Sequence, residues 1–123
     1  MVYLHSSKHP DTFKFCRDVL CSETFVNYTA STTSLKIWGG DIEFEDAYRA
    51  GNLLQVASFP FVTIIKPMAS SFKVLLRMEG LVSNQVFMTQ VRRANAHHEQ
   101  QVVQRVAREV ENAERQRLRE EQD

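Results

Sequence analysis

The sequence predicts an α/β domain built on a central mixed sheet, and three observations carry this prediction. Short apolar segments alternate with amphipathic helical segments along the chain. Pro60 stands directly before the apolar segment Phe61–Lys66, where a proline costs no interior sheet hydrogen bond. The short turn Pro67–Ser71 then leads to a further strand, Phe72–Glu79, which must run antiparallel to its neighbour.

The chain opens with a predicted strand over Val2–His5, followed by a helix. Asp11 or Thr12 can cap this helix, which is predicted to end near Leu20. Its predicted buried face repeats at i, i+3 and i+7 and consists of Phe13, Cys16 and Leu20.

The next segments supply a second strand and two more helices. A short helix is predicted over Ser22–Tyr28 with Ser22 as its cap, and Thr29–Ser34 is predicted as a loop. The strand Leu35–Trp38 is closed by two glycines. A helix then runs from about Phe44 to Ala57, and we expect its face to consist of Phe44, Ala47, Tyr48, Gly51 and Leu54, with Gly51 explained by close packing on the sheet.

A long final helix completes the domain, with Ser83 as its cap. Its first half carries residues that can cover the sheet, namely Val86, Phe87, Val91 and Ala94. The order is therefore strand, helix, strand, helix, hairpin, helix. Parallel strands joined by helices and finished by an antiparallel hairpin have the topology of thioredoxin.

The composition changes after about residue 96, so we predict a domain over 1–96 and a charged helical extension over 97–123. Within the extension, a heptad-like pattern of weak apolar residues consists of Val103, Val106, Val110 and Ala113. The extension is either a solvated spacer or a coiled-coil surface. Because the chain starts directly in a strand and ends in a charged run with no capping signal, we expect a fragment whose last helix continues.

Composition argues against several classes of function. Fifteen basic and fifteen acidic residues cancel, so no net field steers the chain to nucleic acid. No run approaches the ~18 apolar residues of a membrane span. Cys16 and Cys21 are five positions apart, which on an α-helix points them about 140° from each other. We therefore expect two reduced, buried cysteines and a cytosolic compartment.

The residues offer no evident catalytic or cofactor site. Redox catalysis needs a low-pKa cysteine at a helix N-terminus with a second thiol close behind, and Ser6–Thr12 contains no cysteine. His5 and His9 lack a third metal ligand in register. His97 and its neighbour His98 are expected to be solvated. The sequence contains no glycine-rich loop that could bind a phosphate. We expect no catalytic residue, no metal and no cofactor.

Four blocks of the sequence form a specific pattern. The first is Val2-Tyr3-Leu4-His5-x3-His9-x5-Phe15-Cys16-Arg17-x2-Leu20-Cys21, and the others are Trp38 with Tyr48-Arg49, then Phe59-Pro60-Phe61, then Arg77-x-Glu79-Gly80-Leu81. With these blocks, residues 2–95 resemble the UAS domain of the UBX-domain proteins related to Fas-associated factor, closest to the membrane-associated branch. The resemblance implies a thioredoxin-like fold with a cis Pro60, and structural roles for Pro60, Cys16, Cys21 and Trp38.

The resemblance also implies a function in a longer protein. A ubiquitin-associated domain lies upstream in such relatives, and a membrane-inserted hairpin does in some. A UBX domain that binds the AAA ATPase valosin-containing protein lies downstream. These proteins act in ubiquitin-dependent degradation at the endoplasmic reticulum and in lipid-droplet regulation, and their UAS domains sense long-chain unsaturated fatty acids by self-association. The implied location is the cytosolic face of the endoplasmic reticulum or of lipid droplets.

A fatty-acid site needs apolar surface for the chain and a cation for the carboxylate. On the hairpin we expect Phe72, Val74, Leu76 and Met78 to face one side, and Lys73, Leu75 and Arg77 the other. Candidate carboxylate contacts are Lys66, Lys73 and Arg77. The alternative is an edge strand that its charges protect from aggregation.

The sequence therefore favours a non-catalytic UAS module followed by a helical spacer. Two other classes stay open. One is a thioredoxin-family redox protein, and the other is an interaction module that dimerises through residues 99–123.

Overall fold

A computed structural model describes residues 1–122 and contains a four-stranded mixed sheet. The strands are β1 (Val2–His5), β2 (Trp38–Asp41), β3 (Phe61–Pro67) and β4 (Phe72–Glu79), in the spatial order β2-β1-β3-β4. β1 runs parallel to β2, whereas β3 is antiparallel to both β1 and β4. The predicted α/β class and mixed sheet are confirmed, and the hairpin strand β4 has the predicted limits.

Four α-helices and one π-helical segment surround this sheet in the described residues. They are α1 (Thr12–Phe15), which continues into the π-helical segment Cys16–Leu20, then α2 (Glu23–Ser31), α3 (Glu45–Leu53) and α4 (Asn84–Gln122). The predicted caps of the second and last helices are confirmed. Ser22 Oγ accepts a hydrogen bond from the Phe25 amide at 3.3 Å, and Ser83 Oγ accepts one from the Val86 amide at 3.2 Å.

The larger core lies between the sheet and the helices α1, α2 and α4. Phe87 of α4 is fully buried at its centre, with its ring edge-on to Phe15 at 5.8 Å and to Phe25 at 5.2 Å. Such pairs add to the free energy of burial because aromatic quadrupoles favour edge-to-face contact. The sheet side of this core consists of Tyr3, Val62 and Ile64.

A smaller core on the opposite face joins the sheet to α3. Leu4 and Phe61 contribute from the sheet, and Ala47 and Leu54 contribute from α3 and the residue that ends it. Consecutive residues of β1 therefore enter different cores, Tyr3 the larger and Leu4 the smaller. This alternation follows from the two-residue period of a strand.

The predicted buried face of the first helix is wrong by about one position. Phe13 is 74% exposed, whereas Phe15 and Val19 are fully buried and Cys16 and Leu20 are half-buried at the edge of the core. The Cys21 amide donates to the Cys16 carbonyl at 2.9 Å, a five-residue spacing that widens the helical turn. The buried residues Thr12, Phe15 and Val19 nevertheless keep the predicted i, i+3, i+7 spacing, and only the starting position of the face differs.

The second strand is displaced from its predicted position. It spans Trp38–Asp41 rather than Leu35–Trp38, so the two glycines lie inside the strand instead of closing it. Gly40 is required by space: a Cβ built there would lie 2.8 Å from Ala47 Cβ and 3.1 Å from the Trp38 ring. The close approach of α3 to the sheet occurs at Gly40, and Gly51, with its nearest neighbour at 3.8 Å, has ordinary room.

Other element limits also differ from the prediction. The helix predicted over Phe44–Ala57 ends at Leu53, and both Phe44 and Tyr48 are mostly exposed, so only part of the predicted face is buried. α2 extends through Ser31, so the predicted loop Thr29–Ser34 begins later. On α4 the exposed Val86 is not a core residue, and Met88 is buried instead.

A bulge in β4 changes which hairpin residues share a face. Ile64 pairs with Leu76 and Ile65 pairs with Val74, so Leu75 is the extra residue. Phe72 packs with the smaller core, whereas Leu75, Leu76 and Met78 pack with the larger one. The predicted strict alternation along Phe72–Met78 is therefore wrong.

The last helix leaves the domain as an extended charged helix. α4 is continuous through the predicted boundary at residue 96, and almost every residue from 99 to 122 is exposed. The heptad-like residues stay uncovered, with Val103 at 66% and Val110 at 61% exposure. The two-part division 1–96 and 97–123 stays a prediction, and Asp123 lies outside the described residues.

Candidate functional site

The segment Ser6–Thr12 occupies the place of a thioredoxin active site, between β1 and the first helix. Its polar groups bond to one another: Thr12 Oγ1 donates to the Ser6 carbonyl at 2.6 Å, and the His9 amide donates to the same carbonyl at 3.0 Å. The Asp11 amide donates to His9 Nδ1 at 3.2 Å. The segment is a turn held together by hydrogen bonds among its own residues. Asp11 is the N-cap residue of α1, but its side chain makes no capping hydrogen bond. The Phe59–Pro60 peptide bond is cis, as the resemblance implied.

The two cysteines differ in their surroundings. Cys16 is half-buried with its Sγ 3.3 Å from Tyr3 Oη, and Cys21 is exposed, which corrects the expectation that both are buried. Both are free thiols. Neither lies at the N-terminus of the first helix, where the backbone dipole would favour a thiolate.

A chain of polar contacts links the ends of the two parallel strands. Asp41 Oδ2 lies 3.5 Å from His5 Nε2, and His5 Nδ1 lies 3.0 Å from Tyr3 Oη, which contacts Cys16. Burial and the hydrogen bond with Cys16 raise the pKa of Tyr3 well above its ordinary value, so the phenol keeps its proton. With one proton, the hydroxyl donates to one neighbour and accepts from the other.

Asp41 is held in its charged form at the same place. The Glu43 amide, which donates to Asp41 Oδ1 at 3.0 Å, is the main cause that lowers the pKa of this carboxyl, with smaller contributions from Ser7 and His5. The sequence prediction missed this cluster because it ended the second strand at Trp38. A strand placed over the glycines would have put Asp41 beside His5, at the carboxyl ends of parallel neighbours.

The structure brings together two of the three predicted carboxylate contacts. Lys66 and Lys73 are direct cross-strand partners on β3 and β4, and their side chains therefore share one face. In the described residues neither ammonium has a carboxylate within 4.0 Å. Two like charges opposite each other destabilise a hairpin, so this pair has no evident structural purpose.

Arg77 lies apart from that pair and is engaged within the protein. Its guanidinium donates to the carbonyls of Leu54 at 2.6 Å and Gln55 at 2.8 Å, and to Glu79 at 3.0 Å. Its Cζ also lies 4.9 Å from the centre of the Phe61 ring. These contacts tie the end of α3 to the sheet, so Arg77 acts as a structural residue here.

A cleft of about 340 Å³ opens beside Lys66, between the end of the sheet, the segment 34–38 and α4. Trp38, a predicted structural residue, is 44% exposed and forms part of its wall. Asn95 and His98 line it from α4. Glu99 Oε1 accepts hydrogen bonds from two of the lining residues, Ser34 and Asn95, at 3.2 Å each.

The described residues provide neither a metal site nor a membrane-spanning helix. Within 1–122, no three side chains of His, Cys, Asp or Glu come together as ligands for a metal ion. No helix in that range combines the length and the apolar character needed to cross a membrane.

Known proteins resemble the chain over its full length. No family model matches the sequence. The chain is 33% identical over 123 residues to plant UBX domain-containing protein 10 of Arabidopsis thaliana, covering 99% of this chain and 25% of that protein. It is 29% identical to human FAS-associated factor 2 and 30% identical to the Xenopus tropicalis protein of that name, covering 100% of this chain and 27% of each. The chain thus spans about a quarter of the length of these relatives.

Among solved structures, a thioredoxin from Thermus thermophilus is similar in fold. The TM-score is 0.64 at 16% identity, and the match covers 75% of this chain and 69% of the thioredoxin. This similarity confirms the predicted thioredoxin-like fold. The chain is therefore a thioredoxin-like homologue of the UBX-family proteins.

Proposed function

We propose that this chain is a non-catalytic UAS module of a UBX-type adaptor. In the longer protein it would serve the AAA ATPase valosin-containing protein in ubiquitin-dependent degradation at the cytosolic face of the endoplasmic reticulum or of lipid droplets. The observation that carries the proposal is the similarity to UBX-family proteins over 99% of the chain. Contacts with the ATPase and with ubiquitinated proteins belong to regions beyond these 123 residues.

The surroundings of the cysteines support a non-catalytic role. A thioredoxin uses an exposed pair of thiols at a helix N-terminus. In this chain the corresponding segment, Ser6–Thr12, is a polar turn stabilised by hydrogen bonds between its own residues. Cys16 lies inside the helix against Tyr3. The fold is then kept for its surfaces rather than for thiol chemistry.

The proposed work of the module is to sense long-chain unsaturated fatty acids and to self-associate when it binds them. The unpaired cross-strand lysines Lys66 and Lys73 support this role, since they provide positive charge next to apolar surface. In gel filtration of the purified chain, oleate is expected to shift the protein to larger species, and palmitate is not. An unchanged elution volume with oleate would refute the sensing role.

A second candidate function is dimerisation through residues 99–123. The exposed apolar residues Val103, Val106 and Val110 recur at helical spacing on the distal part of α4, where almost every residue from 99 to 122 is exposed. Sedimentation should then show a mass that rises with concentration and falls to that of a monomer after truncation at Ala96. A constant monomer mass would exclude this candidate.

A further inference from the structure

The π-helical segment Cys16–Leu20 changes how the two cysteines of the chain are placed. On a regular α-helix, residues five positions apart point about 140° from each other. In the structure the Cys21 amide donates to the Cys16 carbonyl at 2.9 Å, which closes one wide turn between these two residues. Residues joined by the backbone bond of a helical turn lie one above the other, as residues four apart do on an α-helix. The wide turn therefore brings Cys16 and Cys21 to the same side of the helix.

The same hydrogen bond limits the distance between the two α-carbons. The path from Cys16 Cα to its carbonyl oxygen spans about 2.4 Å, and the bond from the Cys21 nitrogen to its Cα is about 1.5 Å long. With 2.9 Å between that oxygen and that nitrogen, the α-carbons are held within about 6.8 Å of each other. On an α-helix they would be about 8.6 Å apart. Disulfide-bonded cysteines have α-carbons roughly 4.4–6.8 Å apart, so this backbone permits a bond that an α-helix would not.

The two thiols differ in their access to solvent. Cys21 is exposed at the end of the turn, whereas Cys16 is half-buried and its Sγ lies 3.3 Å from Tyr3 Oη. An oxidant in solution therefore meets Cys21 first, and Cys16 lies one turn away as the second thiol. An exposed thiol with a resolving thiol beside it is the arrangement of redox-sensing cysteines.

We propose that Cys16 and Cys21 form a reversible disulfide when the protein meets a peroxide. The Cys21 sulfur attacks one oxygen of hydrogen peroxide and the O–O bond breaks, which gives a sulfenic acid on Cys21 and one water. The Cys16 sulfur then attacks the sulfur of the sulfenic acid, and the S–S bond forms as a second water leaves. The thiol protons leave in the two waters, the cysteines lose two electrons, and a reducing dithiol returns them. The pair is a switch rather than a catalyst, and it is independent of the proposed fatty-acid function.

Disulfide formation also changes a contact in the larger core. The Cys16 sulfur faces the Tyr3 hydroxyl in the reduced protein, so it must turn away from that hydroxyl to reach Cys21. Of its two hydroxyl contacts, Tyr3 then keeps the one with His5 Nδ1, at 3.0 Å. The redox state of the pair therefore changes the polar contacts that link β1 to the first helix.

Mass spectrometry after peroxide treatment tests the bond itself. The folded, reduced chain is oxidised with equimolar hydrogen peroxide, its remaining thiols are blocked with N-ethylmaleimide, and trypsin cleaves between the two cysteines at Arg17. We expect a monomer that has lost two hydrogens, in which a disulfide joins peptide 15–17 to peptide 18–36, and dithiothreitol should restore both thiols. Disulfide-linked dimers through Cys21, or oxidation to a sulfinic acid with no internal disulfide, would overturn the proposal.

An equilibrium with glutathione separates the effect of the fold from that of closeness in sequence. The ratio of internal disulfide to dithiol gives the effective concentration of one thiol near the other. We expect this value to be at least tenfold higher in the folded chain than in guanidinium chloride, where only the short flexible loop acts. Glu23→Cys combined with Cys21→Ser is the matched control, because it moves the exposed thiol past the extended backbone of Ser22 into α2. The gain from folding should then be lost.

Tyr3→Phe measures the competition between the hydrogen bond and the disulfide. The variant removes the hydroxyl that contacts Cys16 in the reduced state, so the equilibrium should shift toward the disulfide about two- to tenfold, the effect of one hydrogen bond. Circular dichroism checks that each variant is folded. A folded wild-type chain with no higher effective concentration than the denatured chain would show that the turn does not bring the thiols together. An unchanged equilibrium in Tyr3→Phe would refute the movement of Cys16 away from Tyr3.

Discussion

Replacing Gly40 by alanine tests the close contact between β2 and α3. The added Cβ would lie 2.8 Å from Ala47 Cβ, about 0.6 Å inside the 3.4 Å at which ordinary contact begins. Neither atom can rotate away, since each Cβ is fixed to its backbone, so the helix must move or the ring of Trp38, 3.1 Å away, must shift. Overpacking of this kind costs about 1–3 kcal/mol. We expect Gly40→Ala to lower the free energy of unfolding by about 2 kcal/mol.

Gly51 on α3 provides the matched control. A Cβ there would meet only Leu4 Cδ1, at 3.8 Å, and the position is inside a helix. Alanine should therefore raise the free energy of unfolding by about 0.5–1 kcal/mol, because glycine loses more backbone entropy on folding. Urea denaturation followed by circular dichroism measures both variants. If Gly40→Ala is neutral or Gly51→Ala is the more damaging variant, the described packing of α3 on β2 is wrong.

Three further predictions concern the polar contacts. Arg77→Ala should lower the free energy of unfolding by about 2 kcal/mol in urea denaturation, since it removes the bonds to Leu54 and Gln55 and the contact with Phe61; a loss below 0.5 kcal/mol would contradict the structural role. The folded pKa of Asp41 is lowered, so its contribution to stability is complete above an unfolded pKa of about 3.9 and is lost as the pH falls through the folded value. Acid titration of wild type should therefore show a steeper loss of stability below pH 4 than Asp41→Asn does, and parallel curves would refute this. In an insulin-reduction assay the chain should not exceed background, and turnover that Cys16→Ser abolishes would establish the redox alternative.

The hairpin shows what local sequence can predict. β-branched and apolar residues on both sides of a five-residue turn predict two antiparallel strands, and the observed strand Phe72–Glu79 has the predicted limits. The bulge at Leu75 was not predictable, because it depends on how β3 pairs with β4 rather than on either strand alone. One extra residue there changed which side chains face the cleft and which face α3.

The errors at β2 and at the first helix have physical causes of the same kind. Gly39 and Gly40 have low intrinsic preference for strands, yet they lie in β2 because they pair with Tyr3 and Leu4 of β1. Glycine is needed at Gly40 because α3 and Trp38 leave no room for a side chain there. On the first helix the i, i+3, i+7 spacing fits the set that starts at Phe13 and the set that starts at Thr12 equally well. The packing of Phe15 against Tyr3 and Phe87 selects the second set. In both places tertiary packing overrides the local pattern on which the predictions rested.

The candidate site was only partly accessible to sequence reasoning. Lys66 and Lys73 were identified because they lie on a predicted hairpin next to apolar residues. His98 was not, since its burial depends on contact between α4 and the segment 34–38, which are some sixty residues apart. A basic residue beside another histidine on a charged helix carries no signal of burial in the sequence.

We propose that this thioredoxin-like homologue of UBX-family proteins senses fatty acids without thiol chemistry. The most direct test is the molar mass of the purified chain, measured by light scattering at fixed protein concentration while oleate is added. We expect the mass to rise with oleate, to stay unchanged with palmitate and to respond equally in Cys16→Ser. A mass that does not change with oleate, or a response that requires Cys16, would contradict this proposal.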